Sequence, residues 1–70
     1  MEYKKLKESD KMGIHEVLFQ MDIIGLEEDD KVEGYYNQLP EHIKKDGIHW
    51  GFSDSVVQDS MSEWFEKNVL

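Results

Sequence analysis

Apolar side chains recur at three- and four-residue steps in three separate stretches of this chain, and that period limits what it can fold into more than any other feature. In the first stretch Ile14, Val17, Leu18, Met21 and Ile24 fall on one side of a helix. Val32, Tyr36, Leu39 and Ile43 form the second stripe, and Val57, Met61, Trp64 and Phe65 the third. Amphipathic helices joined by short connections predict an all-α fold, a small compact bundle of three main helices.

Punctuating residues set the expected boundaries. Ser9 or Asp10 can cap the first helix, and Gly25 suits the left-handed position beyond its end, which predicts a helix over residues 10–24. The second helix is expected over 30–46, broken or kinked at Pro40, which lacks an N–H and crowds the carbonyl of Tyr36. Its stripe keeps phase across the proline, so both pieces should face one core. Ile48, Trp50 and Phe52 alternate with His49 and Gly51, a period of two that predicts a short extended segment over 48–52. Ser53 or Asp54 can cap the third helix, expected over 54–68, with Glu63 and Lys67 paired one turn apart on its flank. Trp50, Phe52, Trp64 and Phe65 are the expected heavy contributors to the core.

The 70 residues predict a single helical domain over 1–70 that opens with a basic N-terminal segment, residues 1–8. A domain of this size buries only about 60% of the surface its unfolded chain exposes. Without cysteine there are no disulfides or thiolate metal sites to make up the shortfall, so packing or self-association must. No apolar run approaches the ~20 residues of a membrane span, and the basic start has no apolar stretch behind it. A cytoplasmic protein is expected.

Charge narrows the class of partner. Sixteen Asp and Glu stand against eight Lys, with no Arg, for a formal net charge of −8. Through Lys11 the balance is four Lys against three carboxylates; beyond it, four against thirteen, so the acid belongs to the body of the chain. Such a body repels nucleic acid and anionic lipid, which disfavours direct binding to either, and attracts a basic protein surface. The missing Arg also removes bidentate phosphate clamps.

No motif specifies a chemistry. His15-Glu16 is followed at the required place by Phe19, so no paired-His zinc helix exists, and His42 and His49 are not spaced as ligands. Glu27-Glu28-Asp29-Asp30 lacks the alternating ligands, the central Gly and the closing Glu of a calcium loop. Ser53, Ser55, Ser60 and Ser62 read as caps or solvent-side positions with no base beside them. Neither catalytic residue, cofactor nor metal is expected.

Two features remain as candidate interaction sites. The run Glu27, Glu28, Asp29 and Asp30 first reads as acid complementing a helix start. With Glu33 it is also the densest group of carboxylates, and Tyr35 beside it could anchor a partner or lie over a neighbouring helix. Met12, Phe19 and Ile23 form a second apolar group opposite the main stripe of the first helix, consistent with a homodimer contact or with a helix covered on both sides. The resulting expectation is an acidic protein-binding module, an inhibitor of the phage-encoded type that occupies the basic nucleic-acid-binding surface of a host nuclease or RNA-guided defence complex. The alternative is a small homo-oligomeric structural or regulatory protein whose acid serves only solubility.

Overall fold

A computed structural model describes residues 6–70. The described residues are all-α, with four helices rather than three: α1 (Glu8–Gln20), α2 (Val32–Gln38), α3 (Glu41–Trp50) and α4 (Ser55–Asn68), and a 3₁₀ turn at Asp29–Lys31 leading into α2. Helix α1 packs on α2 and α4, and α4 in turn packs on α3. The described residues form a compact body of 28 × 23 × 21 Å. Most of the expected basic segment, residues 1–5, lies outside them, and Glu8 already belongs to α1.

Helix α1 starts and stops two to four residues earlier than its pattern predicts. Lys7, in extended conformation and without a side-chain capping bond, holds the N-cap position, so Ser9 and Asp10 are inside the helix; Glu8 and Asp10 complement the dipole from the first turn. At the other end Asp22 takes the left-handed conformation, φ 64°, that was expected at Gly25. Ile23 N–H donates to the Leu18 carbonyl at 2.9 Å and Asp22 N–H to that of Phe19 at 3.0 Å, a Schellman closure. The closure turns Ile23 and Ile24 back toward the core, and Ile24 is buried from the turn rather than from the helix. Apolar residues returning to the core mimic one more helical turn in sequence.

Pro40 breaks the second stretch. Leu39 before it is extended, as the clash with a proline ring demands, and the Pro40 carbonyl receives the first N–H bonds of α3 from Ile43 and Lys44, both at 3.1 Å. Lys44 reaches back to donate to the Asn37 carbonyl at 3.2 Å, near the free end of α2. The stripe keeps phase across the break: Val32, Tyr36, Leu39 and Ile43 are all buried.

The expected extended segment over 48–52 is absent. Ile48, His49 and Trp50 are the last turn of α3, and Gly51, at φ 98°, reverses the chain so that Phe52 turns inward. The core-facing positions of α3 are Ile43 and Gly47. A glycine carries no hydrophobic signal, so the true helical stripe was invisible and the outward-facing Ile48 and Trp50 supplied a false alternation.

Phe52 is the wedge of the core. A Cβ at Gly47 would collide with the edge of the Phe52 ring, and a Cβ at Gly13 would lie 2.5 Å from the Phe52 carbonyl oxygen and 2.9 Å from the Ser53 nitrogen. Both glycines are buried because α1 and α3 close on this one residue, and Tyr36 meets its ring edge-on at 5.7 Å. Of the four aromatics expected to dominate, Phe52 and Phe65 are fully enclosed and Trp64 is partly buried edge-on to Phe65. Trp50, by contrast, is 66% exposed.

Asp54, not Ser53, caps α4: its Oδ1 accepts from Val56 N–H at 3.0 Å and Val57 N–H at 3.2 Å. Val57, Met61 and Phe65 recur at four-residue steps on the buried side, and Gln58 Nε2 donates to the Gly13 carbonyl at 3.3 Å, tying α4 to α1. Glu63 and Lys67 pair at 3.0 Å on the exposed flank, as their spacing predicts.

Candidate protein-binding groove

Helix α1 is amphipathic toward the core and apolar again on part of its outer side. Glu8, Met12, His15, Glu16 and Phe19 recur at three- and four-residue steps along that side. They face the connection and the 3₁₀ turn, where Leu26, Asp29 and Asp30 form the opposite wall, and together with Lys11 they bound an open groove of about 570 Å³ with Val32 at its base. Three of its apolar side chains are well exposed: Met12 at 71%, Phe19 at 46% and Leu26 at 70%.

His15 connects the two walls. Its ring lies nearly parallel to that of Phe19, and its Nε2, shielded from solvent, stands 3.2 Å from Asp29 Oδ1. The contact sets the acid run beside α1, and Phe19 stacks on the His15 ring at the edge of the groove, still 46% exposed. The charged lining is one-sided: Glu8, Glu16, Asp29 and Asp30 against Lys11. An apolar floor framed by carboxylates lowers the local dielectric and strengthens their field toward an approaching cation.

The acid run does not act as one unit. Glu28 accepts the Gly25 N–H at 2.6 Å and pairs with Lys31, closing the turn that carries Leu26. The hydrogen bond from Lys31, followed by that from the Gly25 N–H, holds the Glu28 carboxyl below its ordinary value, while the Glu28 bond holds the Lys31 ammonium above its own. Glu28 is therefore a brace. Asp29 and Asp30 line the groove, whereas Glu27 and Glu33 are exposed elsewhere. Tyr35 is half-buried, its ring edge-on to Phe65 at 6.1 Å, so it lies over α4 as the second sequence reading had it.

The second apolar group is also divided. Met12 and Phe19 share the groove, but Ile23 packs against the core beyond the Schellman closure. Leu26 completes the exposed group in its place, a residue the sequence reading passed over. Its signal was weak: a lone apolar side chain between Gly25 and two glutamates, outside any periodic stretch.

Among the described residues no cluster of three or more His, Asp or Glu side chains is placed to hold a metal ion, and no helix is long and apolar enough to cross a membrane. No protein family, curated protein or solved structure matches this chain.

Proposed function

We propose that the chain is an acidic cytoplasmic protein-binding module that docks a basic protein surface, and that by covering such a surface it acts as an inhibitor, excluding the nucleic acid its partner would otherwise hold. The observation that carries this reading is the groove along α1, in which exposed Met12, Phe19 and Leu26 are framed by Glu8, Glu16, Asp29 and Asp30. Apolar anchors give affinity at the centre of an interface, and the surrounding carboxylates steer encounter and select a cationic partner. The partner class is a nuclease or RNA-guided complex of the kind that small phage-encoded inhibitors block.

The test is a titration with a lysine–leucine amphipathic helical peptide bound to a labelled single-stranded oligonucleotide. The chain should release the oligonucleotide, less so as salt rises. Replacing Asp29 and Asp30 with Ser should weaken release far more than the same replacement of Asp59 and Glu66 on α4, which removes equal charge. Equal losses from the two double variants would reduce the effect to net charge and overturn the proposal.

The exposure of Met12, Phe19 and Leu26 also favours a second reading, a homodimer sealed through this groove. A dimer in light scattering that Phe19→Glu dissolves, together with no oligonucleotide release, would establish that reading instead.

A further inference from the structure

Trp50 stands out once the groove is set aside. An indole is the largest apolar side chain available to a small core, yet this one is left 66% exposed, while Phe52, two residues on, is fully enclosed. Gly51, at φ 98°, reverses the chain between them and leaves Trp50 at the free end of α3. His49 meets the indole edge-on at 4.5 Å and supports its position.

The exposed ring forms one side of a cleft of about 400 Å³ where α3 and α4 converge. Val56, 70% exposed, and the buried Val57 give it an apolar wall, and both charged residues in its lining, Asp46 and Asp54, are acidic. Asp46 lies four residues before Trp50, one turn away on the same side of α3. Asp54 Oδ1 accepts both capping N–H bonds of α4, whereas Asp46 has no such role and is exposed beside Trp50.

We propose that this cleft is a second docking site, which takes the side chain of an arginine presented by a basic protein. A guanidinium is planar and weakly hydrated, so it can lie on the indole face while forking to Asp46, which a purely apolar side chain cannot do. The inference stands independently of the groove along α1, since it rests on a different pair of helices.

The experiment follows the two indole N–H resonances while acetyl-arginine-amide is added, with acetyl-norleucine-amide as the uncharged counterpart. Arginine amide should shift the Trp50 resonance saturably and leave Trp64 in place; Asp46→Asn should weaken the response by about threefold, and Trp50→Leu should abolish ligand response while the Trp64 signal reports an intact fold. A Phe19→Ser variant should keep the arginine response whether or not it loses peptide binding in the groove, so the two proposals fail separately. An equal shift with the norleucine amide, a response at Trp64 alone, no response at all, or an Asp46→Asn variant with unchanged affinity would each overturn the site.

Discussion

The inner and outer sides of α1 are both apolar, and the fold treats them differently. On the inner side Gly13, Ile14, Val17 and Leu18 close on α4, α2 and the Phe52 wedge with no room for another carbon at Gly13. On the outer side Met12 and Phe19 remain open across from Leu26, among carboxylates. The difference lies in what each side can meet. At Gly13 the missing side chain lets the Phe52–Ser53 backbone approach α1, whereas the outer side faces a connection rich in carboxylates that favour water. Enclosed contacts should therefore govern stability, and the open ones should govern association.

The strongest way to break this comparison is at the wedge itself. Phe52→Ala should cost about 3–5 kcal/mol, comparable to the whole stability of a chain this small, and leave no cooperative thermal transition. Trp50→Ala, two residues away, should melt close to the parent. A cooperative melt for Phe52→Ala with a collapsed one for Trp50→Ala would invert the assignment of core and surface.

Two smaller effects, opposite in sign to each other, sharpen it. Gly47→Ala drives a carbon against the Phe52 ring and should destabilise by about 1–3 kcal/mol. Gly34→Ala, at an exposed position of α2 with open space beyond it, should instead stabilise by about 0.5–1 kcal/mol through helix propensity. Urea midpoints moving in the same direction for both variants would contradict the packing described around Phe52.

The smallest effect concerns the turn that presents Leu26 to the groove. Glu28 is held below the ordinary carboxylate value of 4.5, so its contribution to stability is present above that value and is lost as pH falls through its folded-state value. Lys31 is held above 10.5, so its contribution is complete below 10.5 and is lost only as pH rises through its own folded-state value. The pair should give a flat profile between these limits, and Glu28→Gln should flatten the acid limb measured by urea midpoints below pH 4.5. An unchanged acid limb would remove Glu28 as the brace of the turn.

Much of this architecture could be read from the chain because local rules act there directly. The stripe through Val32, Tyr36, Leu39 and Ile43, the break at Pro40, the Val57–Met61–Phe65 face and the Glu63–Lys67 pair depend on helical period, ring sterics and neighbours one turn apart. The errors cluster where a residue without hydrophobic signal is decisive. Gly47 concealed the buried side of α3 and made an extended segment of its last turn, and Asp22 took a left-handed position that Gly25 seemed better suited to fill. The candidate site was half legible: Met12, Phe19, Asp29 and Asp30 stood out, but not that they share one groove with Leu26.

The sequence by itself determined the class of fold and the surplus of anionic groups, since helical period and charge are properties of residues and their near neighbours. Only the tertiary structure decided which apolar residues were enclosed and which acids stood together. Those outcomes depend on where the chain reverses at Asp22 and Gly51 and on how closely helices approach at Gly13 and Gly47, and both depend on contacts between residues far apart in the chain.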